Sequence, residues 1–322
     1  MSHCDIICFM SNSGNENGMN VFQANICLLC VTLCWSTEVI IFGCIPEGVS
    51  SFATTCITSL VGGLILLVCF FKRIIAAIKK EKWTMLIWVV GLSLMNMVYN
   101  LFYMAGLKYF DVSTGAFTLS MTVVVLPVIL LTFREKMERK TWYSAAIVFV
   151  GILTVVVNNA SVGQFMGIVF MALGCVIRAV YIVILNKAAG KYDTLALSST
   201  ISISAGLLSF IPWLMSDPRL FASINWDKET ISCLAIYSYF VVALAQTLNI
   251  FAQKKSTPAN ATVIYSMEIV FSVIWGTLLP ASLVTPTKIT PYVIIGVLLV
   301  VIGNIIEIVP FDDLTKKRRK TV

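Results

Sequence analysis

The chain has 322 residues, of which 58% are hydrophobic and only 12% charged, with a net charge of +7 and a mean hydropathy of +0.91. A water-soluble domain cannot cover that much apolar surface, so the composition argues against soluble enzymes and nucleic-acid binders and for a polytopic membrane protein. Ten cysteines lie scattered through apolar runs without framework spacing, and the single histidine is His3. The cysteines therefore read as small hydrophobes, and no metal or cofactor is called for.

Residues 1–24 contain the polar, Gly/Asn/Ser-rich run Ser11–Asn20 and read as a disordered cytoplasmic tail. They lack the basic start and small-residue cleavage site of a signal peptide. Ten apolar spans follow, at about 25–45, 51–71, 84–105, 112–132, 141–158, 164–186, 194–214, 231–252, 258–279 and 290–309. Each approaches the ~20 residues that cross a hydrocarbon core. Residues 311–322 form a basic cytoplasmic C-terminal tail with Lys-Lys-Arg-Arg-Lys at 316–320.

Loop charge orients these spans. With both termini inside, the cytoplasmic segments hold eighteen basic residues: Lys72, Arg73, Lys79, Lys80 and Lys82; Arg134, Lys136, Arg139 and Lys140; Lys187 and Lys191; Lys254 and Lys255; and the five of 316–320. The other side holds four, Lys108, Arg219, Lys228 and Lys288. The positive-inside rule then places both tails in the cytoplasm of a multi-pass protein; a cell (inner) membrane suits it best, and the basic C-terminus also suits a eukaryotic organelle protein.

The chain also repeats. A shift of 146 positions lays Lys254 on Lys108, Ala261 on Gly115, and Ser266-Met267-Glu268 on Ser120-Met121-Thr122. Ser144 and Gly151 match Gly296 and Gly303, and Gly174–Arg178 lies over Cys34–Glu38. Five spans per repeat is an odd number, so the repeats, residues 25–159 and 160–310, must lie inverted in the bilayer. The expected fold is thus an all-α membrane protein of ten transmembrane helices in two inverted five-helix repeats.

Three charges stand inside the spans: Glu38, Arg178 and Glu268. An ionisable group at the bilayer centre costs ~2.5–3.5 kcal/mol, so each marks a pathway or coupling site by default. From helix rise, Glu268 lies near mid-depth and differs from Arg178 by ~4–5 Å, whereas Glu38 differs from Arg178 by ~10 Å. Arg178 is therefore expected to lean towards Glu268 or the amides of the eighth span, leaving Glu38 freer to titrate. Asn96, Asn100 and Tyr103 share one face of the third span. The same shift carries Asn100 to Gln246 and Tyr103 to Asn249 in the eighth, with Gln253 extending the stripe. Paired polar faces in two repeats suit a shared central cavity. The hydroxyls of the second and seventh spans read as packing.

Several motifs carry a resemblance. Trp35 lies in the first span, Tyr103-Met-Ala-Gly-Leu-Lys108 ends the third, Phe133-Arg-Glu135 precedes Thr141-Trp142 and Gly151, and Tyr265-Ser-Met-Glu268 lies in the ninth. Together and in order they resemble the drug/metabolite transporter superfamily in its EamA-type branch, over residues 25–309. Glu38 within Ser-Thr-Glu-Val-Ile also resembles the first-helix glutamate of the four-helix small multidrug transporters of that superfamily. Where the family places a proline after the ninth-helix carboxylate, this chain has Ile269, and Leu279-Pro-Ala-Ser282 lacks a counterpart of Glu135.

The resemblance implies a secondary transporter, an exporter of amino acids or related amphiphilic metabolites, that works by alternating access. Its expected substrate-binding residues are Glu38, Asn96, Asn100, Tyr103, Arg178, Gln246, Asn249, Tyr265 and Glu268. Its partners would be a small-molecule substrate, the lipid bilayer and protons, with no nucleic acid, and it would act as a monomer or homodimer. Proton-coupled efflux of cationic drugs is the alternative within transport. A channel or an intramembrane enzyme is the alternative outside it, and the sequence holds no HExxH, no GxSxG and no aspartate inside a span to support an enzyme.

Overall fold

The structure is a computed structural model that describes residues 20–37, 49–107, 109, 121–133, 137–159, 165–280 and 289–309. No strand occurs among the described residues, and helices follow one another along the chain. They are α1 (Val21–Ser36), α2 (Ser51–Cys69), α3 (Phe71–Leu107), α4 (Thr122–Thr132), α5 (Arg139–Asn159), α6 (Phe165–Lys191) and α7 (Thr194–Ser216). After a 3₁₀ turn at Leu220–Ser223 come α8 (Lys228–Gln253), α9 (Pro258–Leu278) and α10 (Pro291–Ile308). Among the described residues, seven helices (α2, α3 and α6 to α10) are long and apolar enough to cross a membrane, while α1 and α4 are apolar but shorter. The expected continuations of α1 beyond Thr37 and of α4 before Met121 lie outside the described residues.

Helix starts follow from local chemistry. Asn20 and Gln23 form a reciprocal capping box on α1, with bonds of 2.8 and 3.0 Å. Asp227 caps α8 by accepting from the Thr230 amide at 2.7 Å, and this bond holds its carboxyl below the ordinary range. Thr257-Pro258 and Thr290-Pro291 open α9 and α10 with a capping hydroxyl followed by proline, which lacks the N–H that a first turn leaves unbonded.

One expectation fails. Residues 72–82 read as a loop because five basic residues interrupt the apolar pattern, yet α3 runs unbroken for 37 residues from Phe71. No glycine or proline interrupts 71–84, and Lys, Ala, Ile and Glu are good to fair helix formers. Ile74 is fully buried, so this first part of α3 also packs one apolar face.

The outward faces stay apolar where a soluble protein would be polar. Val68, Trp83, Ile87, Tyr143, Phe165, Met215 and Leu278 each expose more than two thirds of their surface. Such a belt is stable only against lipid, and the chain is a multi-pass membrane protein.

Two helix pairs organise the bundle. In α5 and α10, a Cβ on Gly151 would lie 2.8 Å from the Gly296 carbonyl, and one on Gly303 would lie 2.9 Å from the Ser144 carbonyl. As residue numbers rise along α5 they fall along α10, so the pair is antiparallel. In α2 and α7, Gly206 meets the Cys56 carbonyl and Gly63 the Ser199 carbonyl, both at 3.0 Å for an added Cβ, again antiparallel. Small residues let these backbones approach as membrane helices do.

The largest buried cluster includes Leu28, Leu92, Leu185, Leu197, Ile250 and Ile264, contributed by six helices. It packs towards one end of the bundle. At that end the Asn260 amide donates to Asn25 Oδ1 at 2.9 Å, and Asn186 Nδ2 donates to the Gln253 and Ser256 carbonyls at 2.7 and 2.8 Å. Arg73 binds Asp193 there at 2.7 Å, and Lys140 Nζ reaches the Val309 carbonyl at 3.0 Å. The start of α1, the end of α10 and most of the basic residues therefore share that end.

Candidate functional site: a polar cavity between the helices

Above this packed end lies a cavity of about 140 Å³. At ~10–15 Å³ of such space per water, it holds on the order of ten water-sized positions. Eight of the nine residues expected from sequence line it: Asn96, Asn100, Tyr103, Arg178, Gln246, Asn249, Tyr265 and Glu268. The ninth, Glu38, lies outside the described residues.

Charge is concentrated at one point of the wall. Arg178 Nη2 of α6 lies 3.5 Å from Glu268 Oε2 of α9, and the two side chains keep 12% and 18% of their surface exposed. The guanidinium also sits 5.9 Å from the ring centre of Trp35, itself 5.2 Å from the Tyr265 ring. Arginine suits this place because its planar fork can face an aromatic ring and a carboxylate at once. The pairing favoured by helix depth is the one present.

The α-helical pattern of α9 is interrupted at this point. Its helix breaks at Ser266 into Pro258–Tyr265 and Met267–Leu278, so Glu268 stands in the first turn of the second segment. The partly unsatisfied N–H groups of a helix start favour a carboxylate. No proline stands at 266–269 to cause this interruption. Ser266 Oγ donates back to the Val263 carbonyl at 2.6 Å and accepts from Asn304 Nδ2 at 2.9 Å, which supplies a local cause.

Amides and phenols knit the remaining wall. Asn100 Nδ2 donates to Asn96 Oδ1 at 3.0 Å along α3, and Gln246 Nε2 donates to the Tyr181 hydroxyl at 3.1 Å. At the cavity floor the Tyr265 hydroxyl donates to Asn249 Oδ1. Gln253 Nε2 holds both from below, at 2.8 Å to the phenol and 3.2 Å to the amide oxygen. Gln253 itself is buried beneath the cavity rather than on its wall.

Some wall residues were not expected. Thr55, Thr58 and Ser59 of α2 and Ser202 of α7 border the cavity, although Thr58 Oγ1 also packs back on its own helix, donating to the Thr54 carbonyl at 2.7 Å. For Ser198 and Ser199 the reading as packing stands, since they bond Thr247 Oγ1 at 2.8 Å and the Gly63 carbonyl at 2.9 Å. Tyr99, Tyr181 and Tyr237 join the wall, so with Trp35, Tyr103 and Tyr265 the cavity is faced by six aromatic rings. Phenols resemble packing residues in a sequence and betray a cavity only through helical spacing, as Tyr99 and Tyr103 do.

A further carboxylate inside the spans also went unread. Glu307, in the last turn of α10, is 3% exposed and accepts from Thr141 Oγ1 at 2.9 Å and Ser144 Oγ at 2.5 Å of α5. It ties the α5–α10 pair and does not reach the cavity. Its place three residues before Pro310 and near Asp312-Asp313 made it look like part of a solvated tail.

The EamA-like transporter family matches the chain twice, over residues 23–157 and 165–308. A solved crystal structure, described only as that of a protein, resembles it in fold with a TM-score of 0.71 and 18% identity. That likeness covers 88% of this chain and 96% of the other. No curated protein matches the chain.

Proposed function

The chain belongs to the EamA-like transporter family, and on that premise we propose that it is a secondary active transporter, exporting amino acids or related amphiphilic metabolites by alternating access between two inverted five-helix repeats. The observation that carries this reading is the meeting, in one cavity, of polar residues that the 146-residue shift pairs between the two halves. Asn100 and Gln246, and Tyr103 and Asn249, line the same space around the Arg178–Glu268 pair.

The packing of α5 on α10 supports the inversion. After a short insertion in the second half, which lengthens the shift from 146 to 152 (296 − 144 and 303 − 151), the repeats pair Ser144 with Gly296 and Gly151 with Gly303. Exchanging each residue for its counterpart turns the Gly151–Gly296 contact into the Gly303–Ser144 contact, so the observed set maps onto itself. A two-fold relation requires that reciprocity. An axis relating two antiparallel helices of one bundle lies in the membrane plane.

A zwitterion fits the charged point of the cavity. Its carboxylate would bind Arg178 and its amine Glu268, each displacing the other partner of a pair already closed on itself. The six rings would enclose the remainder. The same rings favour the second reading, efflux of a cationic amphiphile with a proton carried by Glu268, since aromatic faces attract cations.

A thermal-shift screen of the purified protein against amino acids, nucleotides and cationic dyes tests the class, because a ligand of the folded state raises the apparent melting temperature. Amino acids should stabilise it, and the stabilising solute should show saturable counterflow in proteoliposomes. Stabilisation by dyes alone moves the assignment to drug efflux. Non-saturable flux would sink the carrier reading in favour of a channel.

A further inference from the structure

Tyr237 should not face the cavity if α8 were an ordinary helix. Nine residues separate it from Gln246, which at ~100° each is two and a half turns, putting them on opposite sides. Both nevertheless line the cavity. The reason is that Tyr237–Ala245 is a nine-residue π-helix between the α-helical segments Lys228–Ile236 and Gln246–Gln253. A π-helix bonds five residues back and turns at roughly 4.4 residues, so nine residues make about two whole turns. Tyr237, Val241, Val242 and Gln246 then fall on one face. With Gln246 held in place, α geometry would instead present positions 239, 242 and 243.

Long π-helices are rare, and this one has visible supports. At its start Ser238 Oγ donates to the Leu234 carbonyl at 2.6 Å, and past its end Thr247 Oγ1 donates to the Ala243 carbonyl at 2.6 Å. Ser198 of α7 bonds that same Thr247 hydroxyl. Beside the cavity, one helical turn beyond the wall residues Thr58 and Ser59, α2 lies against the wide turn at Gly62. A Cβ there would stand 2.7 Å from the Ser238 carbonyl oxygen and 2.7 Å from Val242 Cγ1, closer than atoms can pack.

We propose that Gly62 is a positioning residue: by leaving room for the wide turn of α8 it holds the π register, and so puts Tyr237 and Val241 on the wall that meets the solute. The solute's part in this rests on the transport reading, whereas the register does not. A side chain at position 62 pushes on Ser238 and Val242, and the segment yields by tightening towards α geometry. Gly62 thus selects the cavity wall without touching the cavity.

Single cysteines at positions 237, 239, 241, 243 and 246 of the full chain, labelled with a positively charged methanethiosulfonate and read by peptide mass spectrometry, test this. In the parent chain Tyr237→Cys and Val241→Cys should react within tenfold of Gln246→Cys, with Tyr239→Cys and Ala243→Cys at least tenfold slower. Adding Gly62→Ala should slow Tyr237→Cys and Val241→Cys tenfold or more and bring Tyr239→Cys up to the rate of Gln246→Cys, itself unchanged. Reaction at 239 and 243 in the parent overturns the π register. A Gly62→Ala pattern that keeps the parent's period, or loses position 246 together with 237, overturns the role of Gly62. Because labelling needs no transported solute, a failed transport assay leaves this test standing, and a failed labelling pattern leaves the transport assignment standing.

Discussion

Arg178 and Glu268 each lack another charged partner on the cavity wall among the described residues, so each is held in the apolar bundle largely by the other. Breaking a fully buried pair costs ~3–5 kcal/mol, and the partial exposure of this one to a polar cavity should bring the loss to the lower end of that range. Arg178→Ala should lower the apparent melting temperature in detergent. Arg178→Ala/Glu268→Ala should recover part of that loss without recovering transport, and a double-mutant cycle without coupling would refute the pairing. Glu268→Gln keeps shape and hydrogen bonding but removes the titratable charge. It should insert and fold, with flux reduced or its pH profile flattened, and wild-type flux and profile would reduce Glu268 to a packing residue. These residues were legible because a charge or amide in an apolar helix costs free energy, and the cost limits where it can sit. Tyr237 was not legible, since it obeys a π period that no α-helical wheel displays. Glu307 was not legible either, because nothing local in sequence tells a carboxylate buried against two hydroxyls from one at a solvated helix end.

At the scale of elements, glycines decide how closely helices approach, and their surroundings separate into two kinds. A Cβ on Gly296 would lie 2.4 Å from Val155 Cγ2 and 2.8 Å from the Gly151 backbone oxygen. The valine side chain can turn, but the backbone oxygen can move only if α5 and α10 part. Gly91 in α3 meets nothing within 4 Å and is exposed on its helix. Gly296→Ala should therefore destabilise by ~1–3 kcal/mol through overpacking. Gly91→Ala should be neutral or stabilise by up to ~1 kcal/mol through helix propensity alone. Melting curves of the two variants in one detergent check this, and equal effects would show that the α5–α10 contact has room for a methyl group. The repeat alignment had already matched Ser144 and Gly151 to Gly296 and Gly303. What it could not show is that these matched residues touch each other, because similarity in sequence carries no information on which copies adjoin. Helix boundaries were less legible. The charged start of α3 looked like a loop because charge and helicity are independent properties, and only the absence of glycine and proline hinted otherwise.

For the whole molecule, the arrangement of charge predicts topology. The contacts Asn25–Asn260, Asn186–Ser256, Arg73–Asp193 and Lys140–Val309 draw the two ends of the described bundle to the same side, together with Lys187, Lys191, Lys254 and Lys255. Basic loop residues stay on the cytoplasmic face during insertion, and an eighteen-to-four split across the expected loops leaves a strong bias. Both termini should therefore be cytoplasmic. Fusions at either end should fluoresce with a reporter that matures in the cytoplasm and stay silent with a phosphatase active only outside it. The two reporters together separate two ways of being wrong. Termini on opposite sides would mean an odd number of spans, and the pairing of five helices with five inverted helices would fall with it. Termini both outside would keep the even count and the reciprocal α5–α10 contact but reverse the molecule, so that the packed end beneath Tyr265 and Gln253 would seal the cavity from the exterior. The expected result places that seal on the cytoplasmic side. On that result the cavity in this form is closed to the cytoplasm, and opening it to that side would require the amide contacts around Asn25, Asn186 and Asn260 to part.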